Sequence, residues 1–302
     1  MYKILVLTVS IFLVACSHAS SSLNVMDVSK HFNSTEYHGE LSEISTSFKQ
    51  KFRSYKNADV IWSTYVHTPR LREVFNLRGK LDSKSSHGVM HEKIYDFESN
   101  SKMQMAFWRN LQHTTAWPDN DINPVKATLI SCSKNNLGQI IDFALIDKDK
   151  NKEGKALQIA QRGLWTLFNI LTIPMGENEL KKGETEIYLG DKEAAEKTVL
   201  AAIIAGETIW NSRPSIKLEF EGITQVTSEE NKDTSYDVNL SGYLLIDKYT
   251  GSTVLLDMES ELDSKHWGAD LYIRNILEVT LDPTTPFLTD HFAQRTQKAA
   301  QL

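Results

Sequence analysis

The sequence predicts an α+β fold: a curved, mostly antiparallel β-sheet, half-barrel-like, packed on two or three helices. Three observations predict it. Tyr236, Val238, Leu240, Gly242, Leu244 and Ile246 place six apolar or glycine positions in strict alternation, the pattern of an antiparallel strand with one covered side. Similar alternating runs recur along the chain, separated by turn residues. Three other stretches carry apolar residues at helical spacing or in helix-length runs.

The elements follow in order. Residues 40–55 place Leu41, Ile44, Phe48, Phe52 and Tyr55 at spacings of three and four, which predicts a helix. Val60-Ile61-Trp62 begins an extended segment. Phe75, Leu77, Gly79 and Leu81 share one face of a strand; residues 89–97 and then Met103, Met105 and Phe107 give further strand patterns. Trp117-Pro118-Asp119-Asn120-Asp121 marks a loop. Residues 125–132 and 139–146 flank Asn135-Asn136-Leu137-Gly138 and read as a hairpin.

Ala156, Ile159, Ala160, Gly163, Leu164, Leu167, Phe168 and Leu171 line the apolar face of a second predicted helix, ended by Pro174. Residues 191–207 read as a third, with Asp191 as N-cap and Gly206 near its stop. The run Val199-Leu200-Ala201-Ala202-Ile203-Ile204 is apolar on most sides, so a buried strand stays open there. Ile216, Leu218 and Phe220 resume alternation. The strand at 236–246 turns through Asp247-Lys248-Tyr249-Thr250-Gly251, where Gly251 supplies a positive φ, and returns over 253–262. Residues 271–281 form the last strand. Leu145-Ile146-Asp147-Lys148 and Leu245-Ile246-Asp247-Lys248 repeat one pattern, which shared turn chemistry at two strand ends explains.

The N-terminus has its own character. Lys3 opens it, residues 4–14 are apolar except for Thr8 and Ser10, and Leu13-Val14-Ala15-Cys16 resembles the lipobox of bacterial lipoproteins. The apolar stretch falls short of the ~20 residues that span a bilayer. The resemblance implies a signal peptide at residues 1–15 and acyl chains (palmitate among them) on Cys16. Two or three chains hold firmly where one is marginal. In a Gram-negative envelope, Ser17 rather than an aspartate after that cysteine leans toward the outer membrane, facing the periplasm. Residues 16–39 then form a lipidated, Ser-rich tether, and 40–302 a single globular domain, with a possible subdivision near 174–185. Cleavage leaves 287 of 302 residues, ample for one large domain.

A second resemblance covers residues 130–262. Ile173-Pro174, the run Leu180-Lys181-Lys182-Gly183-Glu184-Thr185, and Gly242 to Gly251 look like a group of uncharacterised bacterial lipoproteins, broadly similar to lipoprotein-carrier half-barrels. Its motifs are turns, and it implies no activity.

Charge and motifs narrow the function. A formal charge of −6 argues against nucleic-acid binding and against a body lying on anionic lipid. With Cys16 acylated, Cys132 has no disulfide partner; its apolar run predicts a buried, inert thiol. His87 and His91 stand ~13 Å apart if on a strand, too far for one metal. The run from Asp147 to Gly154 resembles half a calcium loop but misplaces its glycine and has Gln158 at the twelfth place. Asp119, Asp121 and Asn123 read as loop polars. Glu219 with Glu221, and Glu259 with Glu261, read as exposed strand faces. Trp108, Trp117, Trp165, Trp210 and Trp267 read as core or rim. No phosphate loop, dinucleotide fingerprint or nucleophile elbow occurs.

These observations predict no catalytic residue, no metal and no cofactor. They predict an envelope lipoprotein that binds an apolar ligand such as an acyl chain without catalysis. A protein-interaction or assembly factor is the alternative, and a hydrolase the third reading.

Overall fold

A computed structural model describes residues 39–44, 48–67, 71–106, 114–116, 127–135, 140–147, 167–175, 184–189, 198–227, 235–262 and 271–286. Among them, one sheet contains all the strands: β1 (Tyr55–His67), β2 (Leu71–Ser86), β3 (Val89–Ala106), β4 (Thr114–Ala116), β5 (Ala127–Lys134), β6 (Ile140–Asp147), β7 (Glu184–Leu189), β8 (Thr198–Trp210), β9 (Arg213–Thr227), β10 (Ser235–Asp247), β11 (Thr253–Leu262) and β12 (Leu271–Thr280). Their order is β6-β5-β3-β2-β1-β12-β11-β10-β9-β8-β7, with short β4 beside β3. Every pairing is antiparallel.

This corrects the predicted α+β class. The only helix among the described residues is a short one at 167–171. Residues 156–166, the rest of the helix predicted there, lie outside the described residues.

The predicted helix at 40–55 is not helical over its described residues, 40–44 and 48–55. Its backbone groups bond to distant strands rather than to their own turn: Ser42 exchanges two bonds of 2.9 Å with Glu207, and Arg53 N–H donates to Thr250 O at 2.9 Å. Long-range partners of this kind override local spacing. The predicted helix at 191–207 is strand β8 over its described part, and Gly206 sits at a bulge against β9 rather than at a helix stop.

The strands alternate as their sequences do. β12 is buried at Leu271, Ile273, Asn275, Leu277 and Val279 and half-buried at each residue between. Register carries that phase across the sheet. Val60, Trp62 and Val66 lie opposite Val279, Leu277 and Ile273, and Trp62 also lies opposite Leu77. On the other side Leu256 lies opposite Leu277, and Leu244 opposite Leu256. These residues define the inner face.

Residues 167–175 pack on that face. Leu167, Phe168, Ile170, Leu171, Ile173 and Met175 are all buried and share one core with the strands. Phe168 meets Phe143 of β6 edge-on, with ring centroids 5.9 Å apart. Each such side chain contributes about 1.5–3 kcal/mol by burial.

Gln50 pins the segment in place. Its Nε2 donates to Ile173 O at 3.0 Å and Gly251 O at 2.8 Å, and its Oε1 accepts from Met175 N–H at 3.0 Å. Gly251 has φ +73°, and a Cβ there would come 2.6 Å from Lys51 O. The β10–β11 turn therefore needs a glycine for both its dihedral and its close approach.

Candidate functional site

The inner face has a polar end and an apolar end. The polar end arises because two charged residues occupy inward positions of strands. On β3, Met90, Glu92 and Ile94 are buried in alternation; on β5, Ile130, Cys132 and Lys134 are. Register sets Glu92 opposite Cys132 and Met90 opposite Lys134. Glu92 Oε2 and Lys134 Nζ meet at 2.7 Å, both side chains 0% exposed. Thr172 Oγ1 donates to Glu92 Oε1 at 2.6 Å, and Lys134 Nζ donates to Phe168 O. One ion pair thus holds the 167–172 segment from two sides.

Other charges cluster where β8, β9 and β10 meet the turn that follows β10. Arg213 pairs with Asp247 at 2.7 Å and donates to Thr285 O at 2.8 Å and Pro286 O at 2.9 Å. Asp247 also accepts from Tyr249 and Thr250 N–H, at 3.1 and 2.7 Å. Lys248 Nζ reaches Glu207 at 3.0 Å. These groups satisfy one another and lock the turn.

Tyr55 lies between the two clusters. Burial first, then the nearby Glu92 carboxylate, push its phenol above its ordinary range. Cys132 is buried, and that burial pushes its thiol up to about 12, against the lowering effect of Lys134. A thiol so held is protonated and not nucleophilic at neutral pH.

At the apolar end, Val66, Leu240, Leu262, Leu271 and Ile273 are buried, and Trp62 stands between the two ends. Trp62 is 1% exposed and meets the Phe75 ring edge-on at 5.3 Å. Among the described residues its Nε1–H finds no hydrogen-bond acceptor. A buried donor left in that state costs about 1–3 kcal/mol. Asn275, 5% exposed, shares the inner face one step along β12 from Leu277, the cross-strand partner of Trp62, and lies opposite Thr64.

The residues singled out in the sequence do not converge. His87 sits on the β2–β3 turn beside Ser86 Oγ, and His91 is exposed against Ser133 Oγ at 2.8 Å. Glu92, next to His91, points to the opposite face. Among the described residues no three His, Cys, Asp or Glu side chains gather as a metal site.

Glu219 is exposed and paired with Lys217 at 2.7 Å, and Glu221 is exposed two residues on. Glu259 approaches Arg274 at 3.6 Å, while Arg274 makes a two-pronged bond to Asp257 at 2.8 and 2.6 Å. Glu261 is exposed. Those are outer-face ladders of opposite charge, ordinary for a solvated sheet.

Trp210 is half-buried against the core beside the β8–β9 turn. Trp108, Trp117, Trp165, Trp267, Asp119, Asp121, Asn123, Cys16 and residues 148–158 of the calcium-like run lie outside the described residues. Sequence reasoning missed Glu92, Lys134 and Trp62. The available signal was a charge in the buried phase of an alternating strand.

No protein-family model matches the chain, and no curated protein matches it significantly. No described helix is long and apolar enough to cross a membrane.

Proposed function

We propose that this chain is an envelope lipoprotein, anchored through acyl chains on Cys16, that holds an apolar ligand such as an acyl chain without transforming it. The observation that carries the reading is the inner face. It carries one cluster of buried apolar residues from strands of both halves of the sheet, and its Trp62 donor has no acceptor among the described residues. Apolar surfaces with a few placed polar groups are the usual form of a small-molecule site. The anchor places the body at the periplasmic side of the outer membrane. No cofactor, metal or nucleic acid enters the reading. Native mass spectrometry of gently purified protein should show a co-purifying acyl species, and a fluorescent fatty acid should bind. A clean apo mass with no fatty-acid binding would overturn it.

A second reading has one observation in its favour. Ile141 is 57% exposed on β6, the strand at one end of the sheet order, and Ile203 and Ile223 are exposed on β8 and β9. A protein partner covering such residues would make this an interaction or assembly factor. Crosslinking in intact cells separates the two: this reading requires a defined protein adduct, the first a lipid adduct.

A further inference from the structure

We infer that Trp62 Nε1–H, with the amide of Asn275 at the next inward position of the neighbouring strand, anchors a carbonyl or carboxylate oxygen of the ligand. The inference rests on the apolar-ligand reading above and names the chemical class: an acyl chain with an oxygen acceptor at one end, not a plain hydrocarbon.

Three observations converge. Trp62 is buried on the inner face, flanked in register by Leu77 and Leu277 and met edge-on by Phe75, so its surroundings are apolar. Its indole N–H has no acceptor among the described residues, although buried donors are almost always paired. Asn275 is the buried polar residue in the inward phase of β12, between Ile273 and Leu277, and its register partners are Thr64 and Met258. An indole donates only, whereas an amide both donates and accepts. Both side chains can donate to an oxygen acceptor, whereas an ammonium could use only the amide oxygen and a bare alkane neither. The charged pair Glu92–Lys134 is already engaged with residues 168 and 172, so it is not the anchor.

The test uses the purified full chain with indole-15N tryptophan and three probes: dodecanoate, methyl dodecanoate and dodecane. The Trp62 resonance is assigned as the one missing from Trp62→Phe. Dodecanoate should move the Trp62 indole proton downfield, more than that of any of the other five tryptophans. Its affinity should fall about tenfold or more in Trp62→Phe, the size of one charge-assisted hydrogen bond, and fall also in Asn275→Leu. Dodecane binding should not change in Trp62→Phe. Binding of the ester as well as the acid assigns the anchor to the carbonyl; binding of the acid alone assigns it to the carboxylate. If dodecane binds as tightly as dodecanoate, or both variants bind dodecanoate as the parent does, the anchor is refuted while the apolar-ligand reading stands. If none of the three probes binds, the apolar-ligand reading itself fails. Urea midpoints check that each variant is folded, and Asn275→Leu carries the test if Trp62→Phe is not.

Discussion

Glu92 and Lys134 sit on adjacent strands with their charges 2.7 Å apart and no solvent exposure. Each also reaches the segment lying across the inner face, Glu92 through Thr172 and Lys134 through Phe168 O. The pair is therefore a joint between sheet and segment as well as a contact within the sheet.

That joint sets the first prediction. Lys134→Met leaves an uncompensated buried carboxylate and should cost on the order of 3–5 kcal/mol. Lys134→Met with Glu92→Gln removes both charges and should recover much of the loss. Urea denaturation of the two variants measures this; equal midpoints for single and double variants would contradict it.

Cys132 gives a second prediction. Its folded thiol is pushed up to about 12, above the ordinary value of 9.0. The folded state therefore binds the proton more tightly than the unfolded chain. The resulting stabilisation is fully present below pH 9 and lost as pH rises from about 9 toward 12. In a Cys16→Ala background Cys132 is the single thiol. It should resist iodoacetamide at pH 8 in the folded protein and react at once in urea. Fast labelling without denaturant would show the thiol to be exposed.

A third prediction concerns Gln50 and Gly251. Gln50→Ala strands two carbonyls and one N–H that share its amide, and should cost about 1–3 kcal/mol. Gly251→Ala adds a Cβ against Lys51 O at positive φ and should cost at least as much. Thermal unfolding reads both. A neutral Gly251→Ala would mean that residues 51–54 are not seated on this turn.

The anchor gives the fourth. Cys16→Ala should move the chain from the membrane to the soluble fraction and abolish labelling by radioactive palmitate. A variant still firmly membrane-bound would refute lipid attachment at Cys16.

Much of the sheet was legible because its strands have one wet and one dry side. The strand at 253–262 and the turn through Gly251 stand where alternation and turn chemistry put them, and both Asp147 and Asp247 end strands as their shared pattern implies. β8 misled because Ile203 faces outward and is exposed, so the run lost its alternation and looked like a buried helix. Residues 40–55 misled because spacing alone does not show where backbone groups find partners, and here they find Glu207 and Thr250.

Within the site, Cys132 was readable from its apolar run. Glu92 and Lys134 were not readable as a pair, since only strand register across β3 and β5 brings them together. Trp62 was visible as part of an extended segment, but its unmatched N–H is a property of three dimensions.

The pairing of β1 with β12 puts the first and last strands side by side in the middle of the sheet, while β6 and β7, neighbours in sequence, end its two sides. The chain must therefore cross from one side to the other between Asp147 and Glu184, carrying residues 167–175 over the inner face on the way. The central seam is also the contact of greatest sequence separation, so it closes late in folding. A chain emerging N-terminus first has no partner for β1 on that side until β12 arrives. Loss of β12 would not trim an edge: it would leave two half-sheets held together by the crossing segment and by the contacts of residues 42–53 with Glu207, Thr250 and Gly251.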